Sequence, residues 1–234
     1  MDKPFVFFDL GQTLVDESEF INHFDQKFLE LLNGFGAKID QRGYRAVRDS
    51  VIRDRRIGHG SLSALIAEVC SLVLSPGYGR VVSERLEPQI PKARKDLFRF
   101  YDVAKAILRN LADEGYEMGL IANQSEDIMD LLKRSGLGEY FKVSVISSLV
   151  RLKKPDPRIF HLALSKAGRE AANCIMVGDR LDTDICPANR LGMKTIRTTN
   201  SLFRLQNPIS ECENPTFSVS TISEIPEILE RIHY

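Results

Sequence analysis

Net charge is the first thing this 234-residue chain lacks: 32 lysines and arginines balance 32 aspartates and glutamates. Without an excess of one sign there is no general attraction to nucleic acid or to an anionic membrane surface. No apolar run approaches the roughly 20 residues that span a bilayer. No secretion signal is visible, since Asp2 and Lys3 open the chain and Phe5–Leu10 is too short for the apolar stretch of such a signal. Cysteine is sparse. Cys70, Cys174, Cys186 and Cys212 form no CxxC pair, which argues against zinc and reads most simply as buried free thiols in a reducing cytoplasm. His23, His59, His161 and His233 show no HxxxH-type ligand spacing. Repeats and low-complexity tracts are absent too. What remains is a cytoplasmic globular protein, 43% hydrophobic and 27% charged, long enough for one large domain or two modest ones.

The order of elements is legible from apolar periodicity. Phe5–Leu10 (FVFFDL) is a continuous apolar run ending in a charge and a glycine, which predicts a buried strand with Asp9 at its carboxyl end. Helical spacing then takes over: Phe20, Phe24, Phe28 and Leu31; Tyr44, Val47 and Val51; Leu62, Leu65, Ile66 and Val69. Breaks fall at Asn33–Gly36, Gly58–Gly60 and Ser75–Gly79, and a further helix covers Gly79–Leu86. From Asp102 helices and strands alternate. Val103, Ile107 and Leu111 mark a helix, Met118–Ala122 a strand, Ile128–Arg134 a helix, and Val143–Ser147 a strand. Pro157–Lys166 is a helix, Cys174–Val177 a strand, Asp184–Leu191 a helix and Lys194–Thr198 a strand. Asn200–Pro215 is a polar surface loop, and Ile222, Ile225, Leu229 and Ile232 mark a closing helix. The pattern predicts an α/β fold: a Rossmann-like parallel sheet with helices on both faces, formed by residues 1–15 and 96–234. An all-helical cap, residues 16–95, is inserted into it.

Ligands of open parallel sheets bind beyond the carboxyl ends of the strands. Four features fall at such ends. They are Asp9, with Gly11 and Thr13 in the following turn; Ala122-Asn123-Gln124-Ser125; Lys153-Lys154-Pro155-Asp156-Pro157; and Gly178-Asp179 with Asp182 and Asp184. Several carboxylates at one mouth repel one another unless a cation intervenes. Hard oxygen ligands suit magnesium, which takes one or two carboxylates and keeps its other positions for water and phosphate. A lysine with nearby hydroxyl or amide donors can hold a phosphate. A carboxylate beside a held phosphoryl group can act as nucleophile and form an aspartyl-phosphate. Each feature alone also has a plain structural reading. Asp9 reads as a helix cap, Lys-Lys-Pro-Asp-Pro as a charged turn before a helix, and Gly-Asp as a turn. Their joint order at successive strand ends is what favours a site.

That joint order resembles the haloacid dehalogenase superfamily. Asp9-Leu10-Gly11-Gln12-Thr13-Leu14 is similar to its first motif, DxDGTL. Lys154-Pro155-Asp156-Pro157 with Ile159-Phe160 matches its KPDPxIF pattern, and Val177-Gly178-Asp179 with Asp184-Ile185, Ala188 and Gly192-Met193 matches VGDxxxxDIxxAxxxGM. Leu120-Ile121-Ala122-Asn123 stands where the second motif belongs. The resemblance covers essentially the whole chain, including a helical cap after the first motif. It implies that Asp9 is the nucleophile and a Mg2+ ligand, with Gly11 (by its carbonyl), Asp179 and Asp184 completing the metal site. It implies that Thr13, Asn123 and Lys154 surround the phosphate, with Lys154 also offsetting the charge of Asp9.

Two departures matter. The family's phosphatases carry an acid/base aspartate two residues after the nucleophile, and here that position is Gly11. General acid–base help of this kind is worth about 10²–10⁴-fold. The second motif ends in a hydroxyl residue in the family and in Ala122 here. The phosphonate-cleaving branch also lacks the second aspartate but needs a cap lysine, and Lys27 and Lys38, the cap lysines before Lys92, read as solvated. The halide-removing branch uses no metal and keeps the hydroxyl, so retention of Gly178-Asp179 and loss of that hydroxyl argue against it. The ion-pumping branch lacks the aspartate and still transfers phosphoryl groups.

In the cap, Arg45, Arg48, Arg53, Arg55 and Arg56 read as a solvated helical face interleaved with Asp49 and Asp54, the alternative being a substrate-facing anion patch. Gly58-His59-Gly60 reads as a turn. The expected function is Mg2+-dependent hydrolysis of a small phosphorylated metabolite, slowed by Gly11, in a monomer or homodimer. A non-catalytic binding protein on the same scaffold is the alternative, and 2-haloacid dehalogenation a weaker one.

Overall fold

The computed structural model describes residues 3–60, 62–90 and 97–232. Asp2, Lys92, His233 and the expected boundary between residues 95 and 96 lie outside the described residues. In chain order the first elements are β1 (Phe5–Phe8), β2 (Val15–Asp16), α1 (Ser18–Gly34), α2 (Gln41–Arg53), α3 (Leu62–Val73), α4 (Tyr78–Leu86), β3 (Arg99–Phe100), α5 (Ala104–Asp113) and β4 (Met118–Ala122). There follow α6 (Ile128–Ser135), β5 (Phe141–Ile146), α7 (Ser147–Val150), α8 (Pro157–Ala167), β6 (Cys174–Gly178), α9 (Cys186–Arg190), β7 (Lys194–Thr198), β8 (Phe217–Val219) and α10 (Ile225–Arg231). They sort into two compact units. One takes the chain up to Asp16, Arg99–Arg204 and the residues from Pro208; the other is Glu17–Phe98 with Leu205–Asn207. Leu205–Asn207 thus departs from the expected surface loop: Gln206 is buried, and the Asn207 carbonyl accepts from Arg55 Nη2 at 2.9 Å.

The α/β unit is built on a six-stranded sheet in the order β5-β4-β1-β6-β7-β8, every neighbouring pair parallel. Every residue of β1, β4 and β6 is buried, so both faces of the sheet are covered, as apolar runs without alternation require. On one face Phe5 and Phe7 pack with Ile159, Phe160 and Ala163 of α8. A β carbon at Gly119 would stand 2.9 Å from the rings of both Phe5 and Phe7, so only glycine lets those rings cross β4. The α8 helix starts as its sequence predicts, with Asp156 accepting from the Arg158 amide at 2.9 Å and Pro157 in the first turn; Gly168 ends it in the left-handed conformation.

Two short elements carry no signal in the sequence, and two expectations are corrected. β8 lies just beyond the expected loop Asn200–Pro215, in a stretch where a three-residue edge strand shows no alternation. β2 and β3 pair antiparallel through two residues each, again too short to show a period. The helix expected over Asp184–Leu191 begins with a π-helical turn, Leu181–Ile185, and only then becomes α9. Finally, the cysteines are not all free thiols. Cys186 and Cys212 form a disulfide, while Cys70 and Cys174 are free and buried. The paired residues are 26 apart in sequence and 4.5 Å apart between α carbons, a proximity that local spacing cannot show. No helix of the described residues is long and apolar enough to cross a membrane.

The helical unit packs the aromatic stripe of α1. Phe24 and Phe28 lie 5.4 Å apart between ring centroids, and Phe28 meets Tyr44 of α2 edge-on at 5.7 Å. Beside them sits a buried polar group that the sequence reading missed. Asp25 accepts from the Tyr44 hydroxyl at 2.6 Å and is ion-paired with Arg48, whose Nε also donates to Asp49 at 3.0 Å. Arg48 is therefore interior, a correction to the solvated-face reading, whereas Arg45, Arg53 and Arg56 are exposed. Burial raises the Asp25 carboxyl, with Tyr44 and Arg48 opposing it. Removing one member of a buried pair strands the other, so Arg48→Ala is expected to destabilise the protein by about 3–5 kcal/mol, read as a lower urea midpoint. A change below about 1 kcal/mol, the range of an exposed pair, would show that the cluster carries no such strain. Gly58-His59-Gly60 is a turn with Gly58 at φ 51° and His59 exposed.

Candidate active site

Asp9 sits one residue beyond β1, and its amide donates to the Val177 carbonyl of β6 at 2.8 Å. This ladder bond fixes the carboxylate at the carboxyl edge of the sheet. The chain then winds tightly around one acceptor: the amides of Thr13, Leu14 and Val15 all donate to the Leu10 carbonyl. Gln12 takes a positive φ of 53° in this turn, and its side chain accepts from the Leu202 amide at 2.9 Å. The turn buries Thr13 and leaves its hydroxyl with no hydrogen-bond partner.

Asp179 follows β6 directly, and Asp184 belongs to the π-helical turn after it. A β carbon on Gly178 would stand 2.6 Å from Asp184 Cβ and Cγ. Glycine there lets the Asp184 side chain fold back against the strand end, where its Oδ2 accepts from the Arg180 amide at 3.0 Å. Asp182 points elsewhere, into a pair with Arg180 at 2.7 Å, and the Arg180 guanidinium lies 4.3 Å over the Phe203 ring.

Lys154 arrives from the segment before α8. Its ammonium donates to Asp9 Oδ1 at 2.6 Å and also to Asp184 Oδ1. Asn123 holds it there. The Asn123 amide donates to the Lys154 carbonyl at 2.9 Å, and its oxygen accepts from the Lys154 amide at 2.8 Å. Asn123, expected beside the phosphate, engages the Lys154 main chain through both ends of its side-chain amide. Ala122, the last residue of β4, is buried and offers no hydroxyl.

Asp9, Asp179 and Asp184 are all buried, and each offers one oxygen within 4.8 Å of the others. One ammonium among three carboxylates leaves surplus negative charge in a site shielded from water. The consequence shows in their acidities. Burial raises Asp9 to about 6, with Lys154 opposing and Asp184 adding to the rise. Burial also holds Asp179 well above the usual carboxylate range, reinforced by Asp184 and Asp9. For Lys154, burial pulls downward, but Asp184 and Asp9 outweigh it and the ammonium is strengthened. Asp179 Oδ2 is buried with no hydrogen-bond partner. An orphaned carboxylate oxygen inside a cluster of three fits a divalent cation with a preference for hard oxygen ligands.

An open parallel sheet with acidic side chains gathered beyond its carboxyl edge is an architecture that binds its ligand at that edge. Known proteins narrow the class. Residues 6–198 match the haloacid dehalogenase-like hydrolases. Glyceraldehyde 3-phosphate phosphatase of Methanocaldococcus jannaschii is 24% identical over 231 residues, covering 96% of this chain and 95% of that one. Phosphoserine phosphatase of Thermus thermophilus is 27% identical over 216 residues, covering 83% and 85%. Among solved structures, a phosphatase of the same superfamily from Thermococcus onnurineus has a similar fold, with a TM-score of 0.59 at 24% identity over 97% of each chain. The chain belongs to the haloacid dehalogenase-like hydrolase family.

Proposed function

We propose that this protein hydrolyses a small phosphorylated metabolite with Mg2+, using Asp9 as nucleophile. The observation that carries the reading is the buried cluster of Asp9, Asp179 and Asp184 around Lys154, with Asp179 Oδ2 left without a partner. Relatives named for glyceraldehyde 3-phosphate and phosphoserine support a small phosphate ester as substrate. Asp9, Asp179, Asp184 and the Gly11 carbonyl would hold the ion, which when bound neutralises charge on the phosphoryl oxygens.

The chain's own residues do the rest. Lys154 grips one Asp9 oxygen, orients the carboxylate and keeps it ionised against the pull of burial. The Thr13 hydroxyl, buried and unpartnered, is a ready donor to a phosphoryl oxygen. Attack by the Asp9 carboxylate forms an O–P bond as the bond from phosphorus to the leaving oxygen breaks. That oxygen leaves with the electron pair and needs a proton. Gly11 supplies none, so a leaving group stable as an anion departs unaided. Water then cleaves the aspartyl-phosphate and restores Asp9.

Turnover is therefore expected to favour para-nitrophenyl phosphate and acetyl phosphate over sugar phosphates, tested by kcat/KM across such a panel with Mg2+ and with EDTA. Equal rates across leaving groups would mean that another residue protonates them. Hydrolysis unaffected by EDTA would remove the metal from the account. A panel that gives Mg2+ binding and no turnover would favour a binding protein on this scaffold, as Gly11 allows.

The acidities supply a separate expectation. Asp9 moves from its ordinary 3.8 to about 6 on folding, and Asp179 moves the same way. Raised acids weaken the fold as pH climbs, so the metal-free protein should lose stability as pH rises from about 4 to 6 and beyond. Mg2+ competes with those protons. Its thermal shift should be larger at about pH 7.5 than at about pH 5. A shift independent of pH, measured by differential scanning fluorimetry, would place the ion away from these carboxylates.

A further inference from the structure

Arg180 stands at the junction between Asp179 and the turn that carries Asp184, and its main chain and side chain are both engaged there. Its amide donates to Asp184 Oδ2 at 3.0 Å. Its carbonyl accepts from the amides of Asp184 at 3.0 Å and Ile185 at 3.2 Å. Both main-chain groups of Arg180 thus hold the metal-site aspartate. The turn itself, Leu181–Ile185, is π-helical, a geometry that occurs mostly as isolated turns at functional sites. The Arg180 side chain braces this turn. Its Nε donates to Asp182 Oδ1 at 3.0 Å and its Nη2 to Asp182 Oδ2 at 2.7 Å, a two-pronged grip on a buried carboxylate within the turn. The other side of the guanidinium rests on the Phe203 ring, 4.3 Å from its centroid. Phe203 is itself tied down, since its carbonyl accepts from Arg197 Nη2 of β7 at 2.7 Å.

We infer that Arg180 is a positioning residue for the metal site: gripping Asp182 and stacked on Phe203, it holds the π-helical turn in the shape that brings Asp184 to Asp9 and Asp179. This rests on the reading of those three aspartates as the Mg2+ site. Outer groups that orient ligating carboxylates typically matter about 10–100-fold in metal affinity. The sign of the effect separates this role from plain electrostatics. A guanidinium beside the cluster repels an arriving cation, so by charge alone its removal would tighten Mg2+ binding. The brace requires the reverse, weaker binding when it is lost. Lysine separates the two again, because it keeps the charge and lacks the planar fork that fits Asp182 and stacks on the ring.

The test is Mg2+ titration of the metal-free protein by calorimetry, without substrate, for native protein, Arg180→Met, Arg180→Lys and Phe203→Leu. The expected result is a Kd for Mg2+ raised about 10–100-fold in Arg180→Met and by a smaller factor in Arg180→Lys, with kcat recovering toward native as Mg2+ saturates. Phe203→Leu should raise the Kd about 2–5-fold, the worth of one cation–π contact. Phe203 is only half-buried, so this variant decides the matter should the arginine variants not fold, and native affinity in it would then overturn the inference. Native or tighter Mg2+ binding in Arg180→Met overturns it, as does full native affinity in Arg180→Lys, and both leave the functional reading standing. A fall in kcat at saturating Mg2+ with unchanged affinity also overturns it, since that would place Arg180 in the chemistry or the general packing. Native protein that binds no Mg2+ overturns the functional reading itself, and the inference with it.

Discussion

Asp9→Asn is expected to reduce Mg2+-dependent phosphatase turnover by roughly four to six orders of magnitude, the scale on which enzymes lose activity when the attacking group is removed. Asparagine has the same size and keeps an oxygen for Lys154, so the geometry of the turn survives. What it loses is the electron pair that attacks phosphorus. The same substitution should not weaken the metal-free fold. Burial and the neighbouring Asp184 raise the Asp9 carboxyl, so a neutral group there relieves the cluster. Lost activity with an unchanged or higher melting temperature at neutral pH is the signature of a catalytic residue. Lost activity with a lower melting temperature would point to a structural one. Retained turnover would show that the nucleophile lies elsewhere.

Gly11→Asp is expected to act in the opposite direction. If the site lacks only its proton donor, an aspartate two residues after the nucleophile should raise kcat/KM on sugar phosphates by about 10²–10⁴-fold. Para-nitrophenyl phosphate should gain little in the first step, because its leaving group needs no proton. The selectivity of the gain is the discriminating readout. A uniform increase would indicate a change in binding. No increase on any ester would mean that Ala122 or the positioning of Lys154 limits the reaction instead.

The α/β framework was legible because its strands are short apolar runs buried on both faces, separated by amphipathic helices with their own start and stop signals. Phe5–Phe8 and Met118–Ala122 need no tertiary information to be read as strands. Edge elements were not legible. β8 has three residues, one of them half-buried and one exposed, and carries no period. Within the site, Asp9, Lys154, Asp179 and Asp184 were visible because each sits at a strand end in a recognisable spacing. Gly178 was visible as part of a motif, but its reason, the close approach of Asp184, exists only in three dimensions. Asn123 was visible at its strand end, but a sequence does not show that both ends of its amide meet the main chain of one residue, Lys154. The buried Arg48–Asp25 pair and the Cys186–Cys212 bond share the opposite cause: their partners are 23 and 26 residues apart, beyond any local pattern.

The central claim is that Asp9 takes up the phosphoryl group in a magnesium site made with Asp179 and Asp184. Incubation with radiolabelled acetyl phosphate, acid quenching and peptide mapping tests it most directly. The account predicts label on the peptide that contains Asp9, present with Mg2+, absent with EDTA and absent in Asp9→Asn. With no acid/base aspartate at position 11 to hasten its hydrolysis, this phosphoenzyme should accumulate during turnover. Turnover with label on a different peptide, or label on the Asp9 peptide that persists in EDTA, would contradict it.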